Sequence, residues 1–206
     1  MILTDKSIRK LVMQENKKVK PLIENFKETS LQSESYDLSI GNYVYYFDEN
    51  VRTITLDNQQ EIDSIYHDED ISIKGYTMSP GEYILISLDE MINLPDTISA
   101  HIRPRTRFTR LGLIVSDQHC NSSYSGNLKL GLYNATKYAI TIKPGIKIAQ
   151  IVFDELKEKP SDEKLYRNRK DAAYQDEKSF LGARLDPEIT EKAEEAFQKI
   201  LGELRG

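Results

Sequence analysis

From Ser35 to Leu156 the chain is cut into short runs that alternate polar and apolar residues, closed by glycine, proline or asparagine turns. "SYDLSIGNYVYYF" opens the series, and "VRTITL", "DISIKGYTM", "SPGEYILISL", "NLKLGLYN", "YAITIKPG" and "IKIAQIVFDEL" continue it. A period of two, rich in β-branched and aromatic residues, makes strands with one buried face. Many such strands at near-regular spacing predict an all-β sandwich or barrel. The expected fold class is mainly β.

Only the two ends depart from this pattern. In "LTDKSIRKLVMQ", Thr4 is placed to cap a short N-terminal helix with Ile8, Leu11 and Val12 on one face. After residue 157, "KEKPSDEKLYRNRKDAAYQDEKSF" is almost wholly polar, has little to bury, and predicts a mobile arm. Asp186 and Pro187 then fit the start of a helix. Its apolar stripe runs through Ile189, Ala193, Ala196, Phe197, Ile200, Leu201 and Leu204. The expected organisation is a barrel with its N-terminal helix over 1–157, an arm over 158–185, and an amphipathic helix over 186–206. That last helix needs a surface to pack on, whether the barrel, a neighbouring subunit or a partner protein.

Composition narrows the function. A chain of 206 residues, 39% hydrophobic, can bury one substantial core. The net charge of −5 argues against nucleic acid as the main partner. One cysteine excludes an internal disulfide framework and a paired-thiolate zinc site. No apolar run approaches the roughly 20 residues that span a bilayer. "MILTDKSIRKLV" is too charged for a secretion signal, so a cytoplasmic protein without membrane contact is expected. His67, His101 and His119 are scattered, with no second ligand at metal spacing, so no protein-held metal is expected. Cys120 has no base at a recognised spacing and reads as a small apolar residue.

The strongest chemical signal is Arg103, Arg105, Arg107 and Arg110 within eight residues. On a strand the odd-numbered guanidiniums would share one face and repel one another unless an anion lay between them. Their forked donors suit phosphate oxygens. A solvated strand face balanced by acidic neighbours is the alternative. In "CNSSYSGNLKLGLYN", Tyr124 offers a flat apolar surface and Gly126 a close backbone approach. A nucleoside could stack there, although such a turn is also simply a hairpin. Gln150 ends the "KPGIKIAQ" strand. No carboxylate lies between Asp117 and Asp154.

Taken in order, "MILTDKSIRKLV", "LQSESYDLSIG", "SPGEYIL", "LP", "RTRFTRLGL", "YSGNLKLGLYN" and "KPGIKIAQIVF" resemble the dCTP deaminases and their trimeric dUTPase relatives. The resemblance covers roughly residues 1 to 184. It implies a distorted β-barrel or jelly-roll of the dUTPase type and a homotrimer. Nucleotide sites would lie between subunits, Mg²⁺ would be carried on the triphosphate, and a C-terminal arm would close over the ligand. Arg105 and Thr106 fall on the family's phosphate-binding Arg-Ser, with Arg107 in place of its second Ser. Arg110 falls on the arginine of the deaminase reaction centre. Tyr124 and Gly126 match the turn beneath the deoxyribose, Gln150 the Gln of the "AQ" strand, and Tyr166 a nucleotide-contacting tyrosine of the arm. Lys178, also on the arm, joins the nucleotide-binding candidates.

The departures fall on the family's acids. Gly131 stands where the deaminases carry a glutamate general base, and Asn121 where the dUTPases carry an aspartate. In the arm, Ala173 replaces a lysine and Glu177 a glutamine. Two functions follow. One is an enzyme converting dCTP or dUTP, with Asp117 or Glu177 as a substitute acid. The other is a nucleotide-binding sensor or regulator without turnover.

Overall fold

The first element, α1 (Asp5–Val12), starts after Thr4, whose side chain makes no capping bond, and buries Ile8. The strands and helices that follow are β1 (Ile23–Glu24), β2 (Tyr36–Phe47), α2 (Gln59–Ser64), β3 (Tyr66–Asp70), β4 (Tyr76–Met78), β5 (Tyr83–Leu88), β6 (Met91–Asn93) and β7 (Ile98–Pro104). Then come α3 (Thr106–Leu111), β8 (Leu113–Val115), β9 (Gln118–Cys120), β10 (Ser125–Gly126), β11 (Lys129–Asn134), β12 (Ile140–Ile142) and β13 (Lys147–Glu155). The structure is a computed structural model that describes residues 1–16, 18–177, 179–189 and 191–192. It divides into a large unit, residues 1–46 with 68–178, and a small one, residues 47–67 with 179–206.

In the large unit the main sheet runs β8-β11-β5-β2-β13-β7-β9. Register shifts between Ile40 and Val44 on β2, and between Lys147 and Ala149 on β13, bend the sheet into a curl. Two smaller sheets, β1-β6-β10 and β12-β4, complete the distorted barrel. Alternation does what the sequence predicts. Leu38, Ile40, Ile84, Ile86, Leu130, Leu132, Ile151 and Phe153 are buried on the inner face. The opposite face of β5 and β11 carries Tyr83, Leu85, Lys129, Gly131 and Tyr133.

The small unit is organised by α2, whose N-cap Asn58 accepts from the Glu61 N–H at 3.2 Å. Tyr66 packs against Phe47 and Phe180, and Arg184 pairs with Asp63 at 3.0 Å. "VRTITL" forms no strand here. Val51, Ile54 and Leu56 are exposed, so its alternation has no face to bury. Near the C-terminus, residues 187–189 and 191–192 are helical, and Asp186 Oδ1 accepts from Glu188 N at 3.0 Å. Residues 193–206, with most of the apolar stripe, lie outside the described residues, as does Lys178. Among the described residues, no helix is long and apolar enough to cross a membrane.

Candidate functional site

The Tyr124-x-Gly126 turn is built by mutual fit. Ser123 and Gly126 both take positive φ, 67° and 156°. A Cβ at Gly126 would lie 2.7 Å from the Tyr124 hydroxyl, so backbone and neighbour both demand glycine there. Tyr124 is buried, and that burial drives its phenol pKa strongly upward. Asn121 joins the same turn, its carbonyl accepting from Tyr124 N at 3.2 Å.

The arm comes to this turn. Tyr166 meets Tyr124 edge-on, and its N–H donates to the Ser122 carbonyl at 3.3 Å. Arg167 forks onto Asp96, and the hydrogen bond holds the Asp96 carboxyl below its usual range. Gln175 reads the turn with both ends of its amide: Oε1 accepts from Ser125 N at 3.2 Å and Nε2 donates to Ser123 O at 3.3 Å. Asp176 N donates to Ser125 O at 2.7 Å. The Asp176 carboxylate takes Lys20 Nζ at 2.8 Å, which lowers its pKa. Glu177, buried, stands 3.7 Å from Lys129 Nζ. Burial pulls the Lys129 pKa down, against the opposing pull of Glu177. The polar composition that suggests mobility is therefore spent on the turn's backbone and on two lysines.

The arginines are arranged differently from the strand expectation. β7 ends at Pro104, and Arg105 is the N-cap of α3, a helix closed by Gly112 at φ 89°. Proline cannot continue the ladder, so the run turns helical after it. Arg105 points inward to Asp37 at 3.2 Å and to the Lys147 carbonyl at 3.3 Å. Thr106, Arg107 and Arg110 lie on α3, and the last two, three residues apart, share a helix face. Neither Arg107 nor Arg110 forms an ion pair among the described residues. Arg103 pairs with Asp117 at 3.4 Å on the exposed surface. Gln150 sits mid-sheet, between Asp37 of β2 and Arg103 of β7. The site candidates thus fall into two groups, one on the turn and arm, the other on α3 and its flanking strands.

Two further residues stand beside Gly131 on β5 and β11. Tyr83 lies over Gly131, whose N–H donates to Ser116 Oγ at 2.9 Å, and Lys129 lies two residues before it on the same face. Nothing in the sequence marks them, because the first depends on the β5–β11 register and the second on where the arm lands. Cys120 is buried, its thiol pushed up to about 12, as befits a packing residue and not a nucleophile. No group of three or more His, Cys, Asp or Glu side chains is placed to hold a metal among the described residues.

The class these features define is a curled β-barrel whose aromatic-x-glycine turn is met by a polar C-terminal arm. The family model described as dCTP deaminase-like matches residues 2–156. The chain belongs to that family. It is 34% identical over 162 residues to a "dCTP deaminase, dUMP-forming" of Hydrogenobaculum sp., covering 78% of this chain and 86% of the relative. A protein of the same description from Sulfurihydrogenibium sp. is 29% identical over 186 residues, 90% of this chain and 97% of the relative. Among solved structures, 2'-deoxycytidine 5'-triphosphate deaminase from Agrobacterium tumefaciens superposes with a TM-score of 0.58 at 23% identity. The match covers 74% of this chain and 47% of that one, so this chain spans about half its length.

Proposed function

We propose that the protein binds a deoxypyrimidine nucleoside triphosphate, dCTP or dUTP, as a sensor or regulator of the dUTP/dUMP pool, without turning it over through the family's usual acids. The arm's closure on Tyr124 and Gly126 carries this reading. It supplies an aromatic surface and a close-approach glycine for the sugar, while Arg107 and Arg110 present guanidiniums for a triphosphate. Asn121 and Gly131 offer no carboxylate, and a neutral amide is a poor base. Arg105, Thr106, Gln150, Tyr166 and Lys178 are assigned to nucleotide binding on the resemblance. The α3 group and the turn group would meet across a subunit boundary in a homotrimer. Mg²⁺ would enter on the triphosphate, as the resemblance implies. The cytoplasmic nucleotide pool is the setting this implies.

One observation favours a second reading. Glu177 brings a buried carboxylate from the arm to the face of β11 that carries Gly131, where it could serve as the acid of a dCTP- or dUTP-converting enzyme. Asp117 suits that role less well, being exposed and paired with Arg103. Calorimetry with dCTP and dUTP, beside assays for ammonia and pyrophosphate with Mg²⁺, separates the two. Binding without product supports the first reading, product above blank supports the second, and neither binding nor product sinks both.

A further inference from the structure

Gly131 and Tyr83 meet diagonally across the β5–β11 ladder. Leu85 pairs directly with Gly131, and Tyr83 with Tyr133. Diagonal neighbours on one face stand about 7–8 Å apart, within reach of an aromatic side chain. Tyr83 uses that reach. A Cβ built on Gly131 would fall on the Tyr83 hydroxyl, 2.6 Å from Cζ and 3.0 Å from Cε2. Gly131 is not among the positive-φ glycines, so its backbone makes no demand for glycine. Here the missing side chain serves the tyrosine.

An aromatic covering a strand glycine is a common way to stabilise a sheet, but two features go beyond that. Tyr83 remains 41% exposed, so this placement does not bury the ring. Its hydroxyl also lies where the resemblance implies the family's glutamate, on the face that holds Lys129 and receives Glu177 from the arm. We propose that Tyr83 is a ligand-contacting, specificity-determining residue, its phenol taking the ground vacated at Gly131 and hydrogen-bonding the pyrimidine ring of the bound nucleotide. This rests on the nucleotide-binding reading of the turn and arm. A carboxylate only accepts, whereas a phenol also donates. Relative to a carboxylate, the exchange therefore shifts the preference toward a base that presents a carbonyl at that edge, as uracil and thymine do.

The test is calorimetry with dUTP, dTTP and dCTP on the full chain and on Tyr83→Phe and Gly131→Ala. Tyr83→Phe removes only the hydroxyl, and Gly131→Ala pushes the ring aside. Each should weaken dUTP binding about tenfold, the worth of one hydrogen bond in a desolvated site, and should narrow the preference over dCTP. The double variant should lose little more than either single one, because both act on one group. Unchanged affinities in a folded Tyr83→Phe protein would overturn the inference alone. A wild-type protein that binds none of the three would overturn the nucleotide reading and this inference with it.

Discussion

Tyr166 of the arm stands edge-on to Tyr124 of the turn, with ring centroids 5.7 Å apart and planes at 64°. The pair joins the arm, which also buries Leu165 beside it, to the most buried ring of the site. Edge-to-face pairs add about 0.5–1.5 kcal/mol to the area they bury. The Tyr166 hydroxyl also accepts from Tyr174 N at 3.3 Å, so the ring fastens two points of the arm at once.

Replacing Tyr166 should therefore free the arm before it harms the barrel. Tyr166→Ala is expected to cost about 2 kcal/mol, below the range for a fully buried aromatic because this ring is half-buried. It should also speed trypsin cleavage after Arg167, Arg169 and Lys170. Tyr166→Phe keeps the ring pair, loses one hydrogen bond, and should cost less than about 1 kcal/mol. Urea denaturation and timed digestion measure both effects. An Ala variant as stable and as resistant as wild type would show that the ring pair does not hold the arm.

The four arginines, similar in sequence, should separate into two classes on substitution. Arg105 and Asp37 form a nearly buried pair, with side chains 17% and 3% exposed. Arg105→Ala strands the Asp37 charge and should cost about 3 kcal/mol. Arg107→Ala and Arg110→Ala leave no buried partner behind and should shift stability by less than about 0.5 kcal/mol. They should instead weaken triphosphate binding and flatten its salt dependence. Thermal melts and calorimetry at two salt concentrations distinguish the classes.

That division marks the limit of what the sequence could say. Periodicity finds the barrel strands because burial on one face imposes a period of two, and Leu130, Leu132, Ile84 and Ile86 obey it. It fails at "VRTITL", where alternation exists but Val51, Ile54 and Leu56 stay exposed. It fails again at Arg105 and Arg107, because Pro104 ends the strand and the chain turns helical from Thr106. The turn residues Tyr124 and Gly126 are legible, since their fit is local. Tyr83 over Gly131 and Lys129 beside Glu177 are not, since strand register and the arm's landing point bring them together. No window of sequence contains either.

Glu90 offers a stability test away from the ligand. It is fully buried, and its Oε2 accepts from Ser39 N at 2.9 Å, while Oε1 has no hydrogen-bond partner among the described residues. Burial raises its pKa, so the folded state keeps a proton that the unfolded state has released. The associated stability is full below the unfolded value of about 4.3 and is lost as pH rises through the raised folded value. Glu90→Gln removes this titration. Its urea midpoint should exceed that of wild type at pH 7, and the difference should shrink near pH 4. A constant difference across that range would contradict the assignment.

The Lys129–Glu177 pair yields the sharpest prediction, because it bears on stability and function together. Lys129 Nζ donates to the Asn127 carbonyl at 2.9 Å and to the Asn127 side-chain oxygen at 3.1 Å, with Glu177 at 3.7 Å. Its folded pKa lies below the ordinary lysine value, so the native state gives up this proton before the unfolded chain does. Its contribution to stability therefore grows as pH rises toward about 10.4. Glu177→Gln leaves the ammonium buried without its counter-charge and should cost about 3 kcal/mol at pH 7, less as Lys129 deprotonates at higher pH. Adding Lys129→Met should recover most of that loss. The same Glu177→Gln protein separates the two functions: a substitute acid on the arm means that dCTP or dUTP turnover stops with the carboxylate. A binding protein loses no turnover, because there is none, and shows only a changed nucleotide affinity in calorimetry.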